Sequence, residues 1–91
     1  MSPKRVMTAL AYGAIMGRVV RMQREVRGVS LEAMAKALGY KDSSGWSRVE
    51  TGDTEMTVTT LWRAADRLGT SSAALVKMAD DLTEDLARER R

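Results

Sequence analysis

Four glycines divide most of the chain into short segments whose apolar residues recur at helical spacing: Gly28, Gly39, Gly52 and Gly69. Glycine readily adopts the left-handed backbone conformation in which many helices end, so each of these positions is a natural helix stop. Val, Ile and Thr never alternate with polar residues over the length of a strand. The sequence therefore predicts an all-α fold of several helices joined by tight turns.

Residues suited to capping a helix N-terminus follow each of these stops: Ser30, Asp42, Thr57, and Ser71 or Ser72. Caps and apolar spacing together predict helices over residues 14–27, 31–38, 43–51 and 58–68, and from 71 or 72 to about 88. Ser2-Pro3 is typical of a helix start and predicts an N-terminal helical extension. We divide the chain accordingly into an extension (1–13), a helical domain (14–78) and a C-terminal helix extension (79–91).

The apolar spacing also indicates which side chains form the core. Met22 and Val26 are expected to face inward on the first helix, and Trp62 on the fourth. Trp46 stands three residues before Val49, which favours a core position; stacking on a nucleic-acid base is the alternative.

A stripe at 4-3-4 spacing continues along the last helix and consists of Leu75, Ala79, Leu82 and Leu86. A single helix cannot bury such a stripe by itself. It either folds back on its own domain or packs on a second copy of the chain, and we predict a dimer contact. The acidic residues between these positions are expected to form the solvated face of this helix.

Composition excludes several classes of function. The 91 residues include neither Cys nor His, which removes thiol and imidazole chemistry and the common zinc ligands. We therefore expect no enzyme and no metal or other cofactor. No apolar run approaches the ~20 residues of a membrane span, and no secretory signal is evident, so we expect a cytoplasmic protein with no membrane role.

Charge is unevenly distributed along the chain. Residues 1–27 carry six basic side chains and one acidic one, whereas residues 79–91 carry five acidic and three basic ones. An anionic partner near the basic third would account for this asymmetry, and so would two solvated faces.

The segment from Ser30 to Gly52 is the most informative about function. A short capped helix ends at Gly39, a brief turn follows, and a second short helix begins after Asp42. Two such helices form a helix-turn-helix, whose second helix fits the major groove of B-DNA. We predict that the outer face of the helix over about 43–51 contacts base edges through Ser43, Ser44, Ser47 and Arg48. The alternatives are a plain helix cap for the serines and a solvated position for the arginine.

This segment and its flanks resemble a known family. Five runs fall in the order and spacing of the lambda-repressor-like helix-turn-helix domain of the XRE (Cro-like) regulators: GVS, MAKALG, WSRVETG, TLWRAADRLG and SSAALV. The resemblance covers roughly residues 15–77. It implies a five-helix domain whose third helix reads DNA.

The resemblance also implies roles for individual residues. It places Ser43, Ser44 and Arg48 where the family's recognition helix meets base edges. It matches Arg24 and Glu50 with a pair that ties the first helix to the recognition helix, although two unrelated surface charges are the alternative. From the placement of the basic residues, and not from the resemblance, we expect phosphate contacts from Lys36, Lys41 and Arg21, with Lys4 and Arg5 in the N-terminal arm.

Three features depart from the family pattern. Leu31 stands where the family usually has a glutamine that binds a DNA phosphate. One additional residue lies between Gly39 and Glu50, which predicts a looser turn around residues 40–42. Asp53 and Glu55 stand where basic residues are common, which weakens attraction to the DNA backbone there.

The resemblance implies a sequence-specific transcriptional regulator that binds double-stranded DNA, expected to act as a homodimer on a pseudo-palindromic operator. Half-sites would lie about 34 Å apart. Two other functions stay open. One is an antitoxin, whose acidic C-terminal helix would bind a basic toxin; the other is a protein-interaction module that has lost DNA binding.

Overall fold

The structure, a computed structural model, describes the backbone of residues 9–89 and the side chains of residues 11–89. Five α-helices and no strand lie in this range: α1 (Ala9–Val26), α2 (Leu31–Ala37), α3 (Ser43–Thr51), α4 (Val58–Arg67) and α5 (Ser72–Glu89). The predicted all-α fold is confirmed. None of the helices between residues 9 and 89 has the length and apolar character to cross a membrane.

Helices α2 to α5 begin and end within one residue of their predicted bounds. Within the described residues α1 runs from Ala9, so the helix predicted from residue 14 is continuous with the end of the predicted N-terminal helical extension. Helices α1 and α5 run without a break through the predicted domain boundaries. The predictions for Ser2-Pro3, Lys4 and Arg5 lie outside the described residues.

The helix starts follow from local hydrogen bonding. The hydroxyl of Ser30 accepts the Ala33 N–H at 3.0 Å at the start of α2, and the Thr57 hydroxyl accepts the Thr60 N–H at 3.1 Å at the start of α4. Each bond satisfies a backbone donor that the first turn of a helix leaves unpaired. Short-range sequence signals are therefore sufficient to place these helices.

Helix α1 is central to the packing, because it lies against both α3 and α5. Helix α2 packs on α3, and α4 packs on α5. The largest fully buried side chains come from four of the helices: Trp46, Met34, Leu75, Val20 and Val49. The core position predicted for Trp46 is confirmed.

Three core predictions are wrong. Met22 and Val26 are 49% and 79% exposed, because the C-terminal half of α1 turns Arg24 inward and its last turn is left uncovered. Trp62 is 59% exposed, because Ala64, Ala65 and Leu68 take the inward positions of α4. Helical spacing predicts a stripe, but the neighbouring helices decide how much of it is covered.

The predicted dimer stripe on α5 also needs correction. Leu75 and Ala79 are fully buried in the core of the chain itself, so neither can contact a second copy. Leu82 and Leu86 are half-buried and pack against the same core. The stripe folds back on its own domain because α5 lies along α1.

Candidate nucleic-acid interface

Helix α2, the turn over residues 38–42 and helix α3 form the helix-turn-helix unit. Gly39 takes the left-handed conformation (φ 81°) at the end of α2. Its N–H donates to the Lys36 carbonyl at 3.2 Å, and the Tyr40 N–H donates to the Ala35 carbonyl at 2.9 Å. These two bonds form a Schellman arrangement. Backbone bonds therefore set the direction in which the chain leaves α2.

Asp42 holds the first turn of α3. Its Oδ1 atom accepts the Ser44 N–H at 3.1 Å, the Gly45 N–H at 3.3 Å and the Ser44 hydroxyl at 2.5 Å. These bonds favour the charged carboxylate and lower the pKa of Asp42, and the Ser44 hydroxyl has the largest effect. Because this hydroxyl already donates to Asp42, Ser44 presents only oxygen lone pairs to a ligand.

The two faces of α3 differ in chemistry. Trp46 and Val49 are buried in the core on the inner face. The residues predicted to contact bases lie on the other side of the helix: Ser43, Ser44, Ser47 and Arg48. Ser44 and Arg48 are exposed, and the other two are half-buried. The fold therefore presents one short polar face that ends in an arginine.

A buried ion pair ties the C-terminal end of α3 to α1. Arg24 and Glu50 are 8% and 5% exposed. The Arg24 Nε donates to Glu50 Oε2 at 2.8 Å, and Nη2 donates to Oε1 at 3.0 Å. The bond to Glu50 raises the pKa of Arg24, although burial acts in the opposite direction. The Trp46 indole N–H donates to the same carboxylate, and Arg24 Nη1 donates to the Val29 carbonyl.

Two glycines let α1 and α3 approach closely at this junction. A Cβ atom at Gly17 would lie 2.2 Å from the Glu50 carbonyl oxygen. Gly52 ends α3 with a φ of 87°, and a Cβ atom there would lie 2.8 Å from the Ala14 Cα. Sequence reasoning does not single out Gly17, because backbone contact between distant segments leaves no local signal.

The predicted phosphate contacts occupy separate elements. Lys36 is exposed on the last turn of α2, and Lys41 is exposed in the turn before α3. Arg21 is exposed on α1, where its Nε lies 3.7 Å from the Glu25 carboxylate. Exposed pairs of this kind contribute little, so this one would not hold Arg21 away from a phosphate.

Tyr40 was not among the predicted site residues. Its ring centroid lies 5.6 Å from that of Trp46, with the two planes inclined by 56°. A Cβ atom at Gly45 would lie 3.0 Å from the Tyr40 ring. The available signal was its place just after a helix-ending glycine, where an apolar side chain often packs back on the helix.

The outer face of α3 can read base edges in two chemical ways. Arg48 carries planar N–H donors that match O6 and N7 of guanine. Ser44 offers lone pairs that match the amino groups of adenine or cytosine in the major groove.

Comparisons with known proteins agree with this geometry. Residues 15–77 match the family model described as a helix-turn-helix domain. The crystal structure of the clp gene regulator ClgR from Corynebacterium glutamicum superposes with a TM-score of 0.81 at 25% identity, covering 92% of this chain and 86% of that one. A second ClgR structure from C. glutamicum gives 0.72 at 26% identity, covering 77% and 90%. The search of curated proteins found no match.

Proposed function

This chain belongs to the helix-turn-helix domain family, and we propose that it is a DNA-binding transcriptional regulator. The ClgR structures that it resembles are those of a gene regulator. Its ligand would be double-stranded DNA, and its action would be binding rather than catalysis. Within the wider family we assign it to the XRE-type regulators, on the strength of the five sequence runs that resemble them.

One observation carries this proposal: α3 is anchored at both ends while its outer face stays polar and open. Asp42 caps its first turn, and the Arg24–Glu50 pair ties its last turn to α1. A rigid helix with short polar side chains can lie close to the floor of the major groove. We propose that Ser43, Ser44, Ser47 and Arg48 contact bases there.

Backbone attraction would come from Lys36, Lys41 and Arg21. The net charge is only +3, and Asp53 and Glu55 are exposed in the loop after α3. Phosphate contacts release counterions, so affinity falls with salt in proportion to their number. We expect a shallow salt dependence, with base contacts supplying much of the affinity.

We further propose that the chain binds a pseudo-palindromic operator as a homodimer. Two-fold symmetric proteins of this kind read two half-sites about 34 Å apart. Since Leu75 and Ala79 of the α5 stripe are buried and Leu82 and Leu86 are half-buried against the same core, we place the contact on another surface. Val58 and Trp62, one turn apart on α4, are 82% and 59% exposed and supply apolar area for it.

A protein partner such as a toxin is the second candidate. The exposure of Val58 and Trp62 supports this candidate too, because exposed large apolar side chains commonly mark a protein contact. Asp80 and Asp81 line the groove between α4 and α5 next to Val58. Lys77 also lines it and pairs with Asp81 at 3.1 Å, so two acidic residues and one basic residue leave a net negative charge that would suit a basic partner.

The decisive experiment is selection from a random duplex DNA pool at near-physiological salt, with sequencing of the retained DNA. The wild-type chain is compared with Arg48→Ala and with Arg88→Ala, which removes the same charge from the last turn of α5. Arg48→Ala should lose about 1–3 kcal/mol of DNA-binding free energy and should relax the base preference at one position of the motif. Arg88→Ala should keep the wild-type profile.

Each outcome has a distinct meaning. A two-fold symmetric motif would support a dimeric reader, and a single half-site would support DNA reading without the dimer. Equal loss by Arg48→Ala on all sequences would assign Arg48 to a phosphate. No enrichment, with binding that disappears on adding salt, would contradict sequence-specific regulation and favour the protein-partner candidate.

A further inference from the structure

We propose that Tyr40 is a positioning residue for DNA reading: its ring seats the first turn of α3 and determines which base edges Ser43 and Ser44 meet. This inference rests on the proposed function, since it concerns how the recognition helix is held against DNA.

The ring of Tyr40 contacts α3 at two places. Its centroid lies 5.6 Å from the Trp46 ring, and the Trp46 side chain is fully buried and cannot move aside. A Cβ atom at Gly45 would lie 3.0 Å from the ring's Cδ1 and 3.8 Å from its Cε1. The ring therefore rests on the bare backbone of the first turn, so close that a side chain at Gly45 would push the ring aside by a few tenths of an ångström.

The backbone of Tyr40 is held from the other direction. Its N–H donates to the Ala35 carbonyl at 2.9 Å, which attaches it to the end of α2. Tyr40 thus joins the last turn of α2 to the first turn of α3 through one rigid ring. Moving this ring would shift the start of α3 relative to the rest of the domain.

Such a shift matters more for serine than for a long side chain. Ser43 and Ser44 reach only one heavy atom beyond Cβ, so they cannot compensate for a displaced backbone, whereas the flexible Arg48 can. Binding groups need placement to about 0.5 Å. The turn also contains one residue more than the spacing usual in the XRE-type family, and at its end the Asp42 cap and the Tyr40 ring both contact the first turn of α3.

The test compares base-preference profiles from the duplex selection for the wild type, Tyr40→Ala, Gly45→Ala, the double variant and Tyr40→Phe. Tyr40→Phe keeps the ring and is the matched control; it should keep the wild-type profile. Tyr40→Ala should lose about tenfold discrimination at some base positions while keeping the position that depends on Arg48. Gly45→Ala should also alter the profile. The double variant should be no worse than Tyr40→Ala, because the added methyl then has space.

A purely structural role would lower the melting temperature without altering relative base preference. Tyr40→Ala with an unchanged profile, or with equal loss at every position, would overturn the inference and leave the proposed function intact. A wild-type chain with no base preference would overturn both. If circular dichroism shows that Tyr40→Ala is unfolded, Tyr40→Leu, which keeps apolar bulk without the planar ring, decides by the same criteria.

Discussion

Gly13 and Gly17 lie one turn apart in the interior of α1, yet replacing each by alanine should have opposite effects on stability. Nothing lies within 4 Å of a Cβ atom built at Gly13. At Gly17 the same atom would lie 2.2 Å from the Glu50 carbonyl oxygen and 2.7 Å from the Val49 carbonyl oxygen. Comparing Gly13→Ala with Gly17→Ala therefore distinguishes the effect of helix propensity on stability from the effect of helix packing, within one helix.

The expected magnitudes follow from these distances. Alanine is favoured over glycine inside a helix by about 1 kcal/mol, so Gly13→Ala should raise the free energy of unfolding by about 0.5–1 kcal/mol. Gly17→Ala gains the same helix propensity, but α1 and α3 must move apart because the new methyl group would overlap the backbone of α3. Overpacking costs typically about 1–3 kcal/mol, and this contact also displaces the residue that pairs with Arg24. A net loss of about 1–2 kcal/mol is the expected result.

Urea unfolding followed by circular dichroism measures both variants against the wild type. The free energy of unfolding should fall by about 1–1.5 kcal/mol per molar urea. The urea concentration at the unfolding midpoint should therefore fall by about 1 M for Gly17→Ala and rise by about half that for Gly13→Ala. If both variants are stabilised, or both are destabilised equally, α1 and α3 do not approach as the structure shows.

Further predictions concern the ion pair, one tyrosine and the exposed face of α4. Arg24→Met should lower the free energy of unfolding by about 3–5 kcal/mol in urea, because Glu50 stays buried without its cation. The double variant Arg24→Met with Glu50→Leu should recover much of this loss. A loss below about 1 kcal/mol for Arg24→Met would mean that water reaches the pair. The Tyr12 hydroxyl donates to the Asp80 carboxylate at 2.7 Å. In a Tyr40→Phe background, ultraviolet absorbance should titrate Tyr12 with a pKa of about 12 rather than 10, since burial and then this contact with Asp80 raise it. Its stabilising contribution should be complete below pH 10 and lost as pH rises through 12, and titration near 10 would contradict that contact. If the proposed homodimer meets through the exposed face of α4, Trp62→Arg should give monomers in analytical ultracentrifugation without changing the circular dichroism spectrum, whereas an unchanged dimer would place the contact elsewhere.

The comparison of Trp46 with Trp62 shows how far helical spacing can be taken. Each has an apolar neighbour three residues away, Val49 for the first and Ala65 for the second, and the sequence predicts a core position for both. Trp46 is fully buried where α3 packs against its neighbouring helices, whereas Trp62 on α4 is exposed. Spacing defines the direction in which side chains point on a helix, but the position of the next helix decides whether that direction is covered.

The predicted site residues divide in the same way. The polar face of α3 could be predicted because helix period and caps are properties of adjacent residues. The meeting of Arg24 with Glu50 came from family resemblance, since the two positions are 26 residues apart. The contact of Tyr40 with the bare backbone of Gly45 could not be predicted, because neither helix period nor caps relate these two residues.

The sequence alone determined the all-α class, the bounds of four helices and the polar outer face of α3. These depend on hydrogen bonds and side-chain periods within a few residues, so adjacent residues are enough to predict them. Only the tertiary structure decided that Leu75 and Ala79 of the α5 stripe are buried in their own domain, that Gly17 is a point of helix contact, and that the Tyr40 ring packs on Trp46 and Gly45. Those outcomes depend on which surfaces the helices bring together, and that is a property of the whole packed chain.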